Sequence, residues 1–289
     1  MKKYDYILIG NSTASVAAIE GVRSADPRGS ILVAGDEDRF VYGRPLISYY
    51  LLGATDEKRM DYRPRTFYAD NGAELRLGTR AERIDPAAKT VTFADGSAAK
   101  YGKLLVATGS RPFDPPMEGI ESVPRRFHFM KMADALALEQ ALSPTARVLI
   151  VGAGLIGLKC FEGIAGRVGS VAVVDLADRV LPSILDETGA AMVQRKLEEH
   201  GATFYLSDSV ARFDKDIATL RSGKRIEFDI LVTAVGVRPN TELVKDAGGE
   251  VARGIVTDAC GRTSIPDVYA AGDCAESFGI ACGTRRILA

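Results

Sequence analysis

A chain of 289 residues, 46% hydrophobic and 26% charged, carries enough apolar material for two packed domains and excludes a disordered chain. The formal net charge is −1 and the basic pairs Arg125-Arg126 and Arg285-Arg286 are short, so no nucleic-acid partner is expected. No apolar run reaches the roughly 20 residues of a membrane span, and Asp5 interrupts the start before any leader-like apolar core, so a cytoplasmic protein is expected.

Residues 4–35 read as strand, glycine turn, helix and strand. Tyr6-Ile7-Leu8-Ile9 is a continuous apolar run, the pattern of a strand covered on both faces. Gly10-Asn11-Ser12-Thr13-Ala14-Ser15 makes the turn, Asp26-Pro27 ends the helix, and Ile31-Leu32-Val33-Ala34 forms the next strand. From about Ala73 to Ala107, short alternating segments with turns at Asp85-Pro86 and Asp95-Gly96 predict a small antiparallel meander. It runs into Leu104-Leu105-Val106-Ala107-Thr108-Gly109, a strand ending in a second glycine turn. Arg111-Pro112-Phe113-Asp114-Pro115-Pro116 is a stiff crossover.

A second strand–turn–helix–strand unit covers 147–175, followed by a helix around 187–200 and short strands to about 235. Val237-Arg238-Pro239-Asn240 then repeats the context of the first exit at 107–112. Two similar exits imply one domain inserted into another: 114–240 within a discontinuous domain of 1–113 plus 241–289. The last segment, Gly283 to Ala289, reads as a helix cut short.

The turn at 152–157 carries a full Gly-x-Gly-x-x-Gly. Gly152 permits the tight turn, Gly154 lets backbone approach a pyrophosphate, and Gly157 allows close helix–strand packing, with Leu155 and Ile156 opening the helix. Asp175 ends the following strand, where a carboxylate binds adenine-ribose hydroxyls and repels a 2′-phosphate, so NAD(H) is expected over NADP(H). The first turn is degenerate. It keeps Gly10, while Ser12 and Ser15 replace the second and third glycines and reduce backbone access to a phosphate. Asp36 and Glu37 follow the second strand and are candidates for a ribose; surface acids in a turn are the plain alternative. Cys160, Cys260, Cys274 and Cys282 form no Cys-x-x-Cys pair, and with only His128 and His200 no metal site is expected.

These segments, with Tyr42-Gly43-Arg44-Pro45-Leu46, Ala234-Val235-Gly236-Val237-Arg238-Pro239-Asn240 and Ala270-Ala271-Gly272-Asp273, resemble the pyridine nucleotide-disulfide oxidoreductase superfamily nearly end to end. The resemblance implies an α/β fold of two Rossmann-like dinucleotide-binding domains, each with a central parallel sheet and a small antiparallel meander. It implies FAD in the discontinuous domain, with Gly10, Ser12, Ala14, Asp36, Glu37, Arg44, Pro45, Thr108, Gly109, Arg111, Gly272 and Asp273 as contacts. NAD(H) then belongs in the inserted domain, at Gly152, Gly154, Leu155, Ile156, Gly157, Asp175, Val235 and Gly236.

The segment 36–60 has no cysteine, so no thiolate relay is available from it. Its Tyr-x-Arg-Pro pattern is similar to rubredoxin reductases, oxygenase ferredoxin reductases and the flavin portion of assimilatory nitrite reductases. Ferredoxin reductases usually carry a lysine after the serine of this segment, whereas Tyr49 follows Ser48 here. Lys159 stands where the superfamily usually has a glutamate near the nicotinamide. Arg44 and Lys159 are the candidates for electrostatic roles in catalysis.

The expected activity is hydride transfer from NADH to flavin, then electron delivery to an external acceptor such as a rubredoxin-like or ferredoxin-like protein. Two alternatives stay open: a thiol, disulfide or peroxide reductase of the same superfamily, and a non-catalytic nucleotide-binding subunit. Family members continue beyond this chain's last residue into an interface domain, so weakened oligomerisation is expected.

Overall fold

The computed structural model describes residues 1–279 and 283–287. The chain divides into two compact units, one of Met1–Tyr42, Asp61–Arg111 and Arg238–Ala289, the other of Gly43–Met60 and Pro112–Val237. The second thus contains a segment, Gly43–Met60, that lies within the first stretch of the chain.

The first unit begins with β1 (Lys2–Ile9), α1 (Thr13–Ala25) and β2 (Ile31–Ala34). After α2 (Ile47–Leu51), which belongs to the second unit, come α3 (Phe67–Asp70), β3 (Ala73–Arg76), β4 (Ala81–Asp85), β5 (Thr90–Phe93) and β6 (Ala98–Val106). They form a sheet in the order β3-β2-β1-β6-β5-β4, joined at β6 by the later strand β18 (Val268–Ala270). Ile7, Leu8 and Ile9 are all buried, as a strand between two covered faces requires.

The meander is smaller than the alternation predicts. β3 pairs parallel with β2, in the register Ile31↔Ala73, so only β4, β5 and the start of β6 run antiparallel. A short half-buried strand alternates whether it borders a parallel sheet or sits in a meander, and only the long-range partner decides between them. β6 serves both arrangements: Ala98–Lys100 pairs with β5 while Ala99–Val106 runs parallel to β1.

The second unit, from the crossover strand β7 (Ser110–Pro112) onward, contains β8 (Arg126–Phe127), α4 (Met132–Ala141), β9 (Arg147–Val151), α5 (Leu155–Ile164), β10 (Ser170–Val174), α6 (Glu187–Glu199) and β11 (Ala202–Tyr205). β12 (Val210–Asp214), β13 (Ile217–Leu220) and β14 (Arg225–Glu227) form an antiparallel meander, and β15 (Ile230–Thr233) returns to a wholly parallel sheet ordered β11-β10-β9-β15-β8. Leu149, Val151, Val174 and Leu231 pack against Phe213, Ala218 and Phe228 of the meander to make its core.

The exit strand β16 (Val237–Pro239) pairs with β7, so the two similar connections form one ribbon. α7 (Glu242–Asp246), β17 (Ile255–Val256), β18 and β19 (Ala275–Gly279) complete the first unit together with β20 (Thr284–Ile287). β20 corrects the expected terminal helix: it pairs antiparallel with β19 in the register Phe278↔Arg285. So short a stretch holds too little helical pattern to nucleate alone, and an available strand edge decides the state of Thr284–Ile287. Cys282, Leu288 and Ala289 lie outside the described residues.

Candidate functional site

In the first unit, three motifs distant in sequence meet at the carboxyl ends of β1, β6 and β18, the edge at which open α/β sheets bind ligands. Gly10 has φ +110°, and a Cβ there would lie 2.1 Å from the Ala107 carbonyl oxygen. Gly272, at φ +75°, comes so close to the start of α1 that its Cβ would lie 3.2 Å from that of Ala14. β18 brings it there by running parallel to β6, with Ala271 N–H donating to Val106 O at 3.2 Å. Next to it, Ser110 Oγ donates to Asp273 Oδ2 at 3.4 Å.

The degenerate turn has a compensation that its sequence does not show. Ser15 is buried and its hydroxyl donates to Gly10 O at 2.6 Å. At the equivalent place in the second turn, a Cβ on Gly157 would lie 2.0 Å from Gly152 O. The first turn is therefore open enough for a side chain, and the added hydroxyl bonds the same carbonyl. Ser12 sits at the N-cap of α1 without making a side-chain capping bond, and no acid lies in the first turn. That leaves the helix start in the form that accepts an anion.

Thr108 and Asn240 clasp the two connections: Thr108 Oγ1 donates to Asn240 O and Asn240 Nδ2 donates to Thr108 O, both at 2.9 Å. Arg111 is engaged the same way, donating to Asn240 Oδ1 at 2.8 Å and to Glu242 Oε1 at 2.6 Å. The structure thus gives Arg111 a linker-tying place among the residues expected around a cofactor. Glu37 accepts the Tyr42 hydroxyl at 2.9 Å, and Asp36 is exposed. Ser110 and Asn240 were not among the expected site residues. The duplicated exit motif is the signal that could have found Asn240.

In the second unit, Gly152 has φ +117° and a Cβ there would lie 2.4 Å from Ala234 O, whereas nothing comes within 4 Å of the Cβ position of Gly154. The first and third glycines are required by packing; the second faces open space. α5 starts at Gly154 with no side-chain cap, whereas Asp186 caps α6 by accepting Gly189 N–H at 2.8 Å. The Asp175 carboxylate accepts the Ala153 amide at 2.6 Å and the Ala177 amide at 2.7 Å, so it is oriented beside the turn. Leu155 is 57% exposed, Val235 is 37% exposed, Ile156 is half-buried and Gly236 has φ +136°. An open, uncapped helix start beside a fixed carboxylate fits a dinucleotide's pyrophosphate and ribose.

Arg44 is half-buried and Pro45 exposed in a single 3-10 turn, Arg44–Leu46, that leads into α2. Lys159 pairs with Glu162 and places its ammonium 4.2 Å from the centroid of the Tyr49 ring. Cys160 and Cys274 are buried, and burial pushes both thiols up, away from the thiolate that redox exchange requires. Cys260 is exposed and unbonded to either. Among the described residues, no group of three or more His, Cys, Asp or Glu is arranged to hold a metal, and no helix is long and apolar enough to cross a membrane.

Comparison with known proteins places these features in a family. The chain is 29% identical over 285 residues to the NADH-dependent phenylglyoxylate dehydrogenase subunit epsilon of Aromatoleum evansii, spanning 97% of this chain and 67% of that protein. It is 31% identical over 284 residues to the rubredoxin-NAD(+) reductase of Pseudomonas putida, spanning 96% and 74%.

Among solved structures, putidaredoxin reductase in its covalent complex with putidaredoxin superposes with a TM-score of 0.91 at 26% identity, covering 100% of this chain and 72% of that one. An engineered NADPH oxidase bound to NADPH, derived from the water-forming NADH oxidase of Lactobacillus brevis, superposes with a TM-score of 0.88 at 26% identity, covering 99% and 65%. The pyridine nucleotide-disulphide oxidoreductase family model matches residues 4–287. The chain belongs to the pyridine nucleotide-disulphide oxidoreductase family, with FAD and NAD(H) as its cofactors.

Proposed function

We propose that this protein is an NADH:acceptor oxidoreductase that holds FAD in the first unit and NADH in the second and passes electrons to an external redox protein. The observation that carries this reading is the approach of Gly272 to Ala14, which sets the third motif against the start of α1. A turn, a helix start and an acid from opposite ends of the chain are thereby gathered at one sheet edge, as a flavin dinucleotide requires. Gly10, Ser12, Ala14, Thr108, Gly109, Gly272 and Asp273 would hold FAD. Gly152, Gly154, Leu155, Ile156, Gly157, Asp175, Val235 and Gly236 would hold NADH. When bound, FAD would supply a hydride acceptor for NADH and a source of electrons for the external acceptor.

The chain's own contribution is positioning and electrostatics. Uncapped amides at the starts of α1 and α5 take up pyrophosphate charge. The Asp175 carboxylate, oriented by Ala153 and Ala177, accepts ribose hydroxyls and repels a 2′-phosphate. In the engineered NADPH oxidase, an exchanged aspartate follows an exchanged glycine by 18 positions and precedes an exchanged proline by 7. Gly157, Asp175 and Pro182 have the same spacing, which supports an NADH preference here. Arg44 is a candidate for an electrostatic role in the reaction. A rubredoxin-like or ferredoxin-like acceptor is supported by the names of the relatives and by the putidaredoxin complex.

The test is the absorption spectrum of the purified protein before and after anaerobic NADH. A flavin band that NADH bleaches, and that a small iron–sulfur or rubredoxin protein restores, is the expected result. Protein that neither carries nor takes up FAD overturns the proposal.

A further inference from the structure

The segment Gly43–Met60 is bounded by two backbone bonds. Tyr62 N–H donates to Val41 O at 3.0 Å, and Gly43 N–H donates to Met60 O at 2.8 Å. Between those points it packs in the second unit, where α2 lies along α5, the helix opened by the Gly152–Gly157 turn. Three contacts fix it there. A Cβ on Gly163 would meet Ser48 O at 3.0 Å, so the helices approach backbone to backbone. Arg167, one turn beyond α5, donates to Leu51 O at 2.9 Å and to Glu139 Oε1 at 2.9 Å. The Lys159 ammonium stands 4.2 Å from the Tyr49 ring centroid while pairing with Glu162 on its own helix.

We propose that Lys159 and Tyr49 form a positioning pair that ties the Arg44 segment to the coenzyme-binding helix. The Lys159 side chain is 28% exposed, partly withdrawn from water, which strengthens attraction between an ammonium and the face of a ring. Its charge is shared between the ring and Glu162. Ile47 N–H donates to Arg44 O, so Arg44 is bonded to the first residue of α2 and goes wherever α2 is held. Lys159 lies two residues after Gly157, in the first turns of α5. A coenzyme that orders the start of this helix orders Tyr49, and through α2 it orders Arg44. The last step rests on the coenzyme reading of the turn; the tether itself does not.

Hydrogen exchange of the α2 amides tests the tether, with β9 and β10 amides reporting the fold. Lys159→Met and Tyr49→Leu should each speed α2 exchange roughly threefold to tenfold, the range such a contact supports. The double variant should be no faster than either single one, because one interaction is removed once. Lys159→Arg and Tyr49→Phe, which keep cation and ring face, should stay near wild type; this rescue separates the pair from simple packing. In wild type NADH should slow α2 exchange, and in Lys159→Met it should not.

Additive effects in the double variant overturn the pair, as does unchanged α2 exchange in Tyr49→Leu. Unchanged α2 exchange in Lys159→Met with a raised KM for NADH makes Lys159 a coenzyme contact instead. If NADH leaves the Gly154–Leu158 amides of wild type unprotected, the coenzyme reading fails, while the exchange comparison between variants still decides the tether.

Discussion

The Asp175 carboxylate bonds the Ala153 amide at 2.6 Å, inside the very turn whose ligand it is proposed to recognise. The acid holds the glycine turn in shape, and in the proposed function the same carboxylate also takes the ribose. Asp175→Ala should weaken NADH binding for both reasons, because a buried amide left without its acceptor costs about 1–3 kcal/mol. Combined with Leu176→Arg, it should move preference toward NADPH. Initial rates with both coenzymes check this, and an undiminished NADH preference removes Asp175 from the ribose site.

Two positions of the first glycine turn should respond differently to alanine. Gly10→Ala puts a Cβ 2.1 Å from Ala107 O at a positive φ, so the strand ends must part. It should destabilise the first unit by about 1–3 kcal/mol and impair FAD retention. Ser15→Ala loses only the bond to Gly10 O and should cost about 1 kcal/mol. Denaturant unfolding with flavin release as a second signal distinguishes them; equal effects would show that the first turn has no steric requirement at Gly10.

Glu74 marks an acid-sensitive edge of the first sheet. Bonds from Lys2 and Tyr4, then Arg76, hold its carboxyl at about 2 against an ordinary 4.5. A depressed carboxyl contributes stability that is complete above the unfolded value and is lost as pH falls from about 4.5 toward 2. The side chain is 35% exposed, so solvent screening keeps the contribution below about 1 kcal/mol. Glu74→Gln should flatten this part of the acid limb of a stability–pH curve, and an unaltered slope there would show that Glu74 does not set it.

Thiol labelling separates electron transfer from a thiol mechanism. In the native protein Cys260 should react with an alkylating reagent, while Cys160 and Cys274 should stay protected until unfolding. Both buried thiols are raised, so their neutral forms are favoured in the fold, and their contribution is lost as pH rises through the ordinary thiol range and above. Extra labelling at Cys160 or Cys274 after NADH reduction would reinstate a thiol relay.

Much of the fold was legible because parallel α/β units announce themselves locally. β1, β2, β9 and β10 are apolar runs, and Gly10 and Gly152 mark their turns. β3 and β20 depart from the local pattern because each is four residues whose state depends on a distant partner strand. At the site, the spacing from Gly157 to Asp175 predicted a coenzyme turn, and the structure supplies the bond that orients the acid. Lys159 shows what local sequence leaves out: its ammonium lies over Tyr49, more than a hundred residues earlier, a pairing that no pattern around the turn encodes.

Sequence alone determined which segments become strands and glycine turns, that two dinucleotide-type turns exist, and which of them is complete. Backbone sterics at glycine and the apolar period act over a few residues, so one stretch of chain suffices to read them. Only tertiary structure decided that Gly272 rests against Ala14, that Asn240 and Arg111 clasp the two exits, and that α2 packs beside α5. Those pairings are selected by burial and hydrogen bonding between segments far apart in the chain, and no local pattern encodes them.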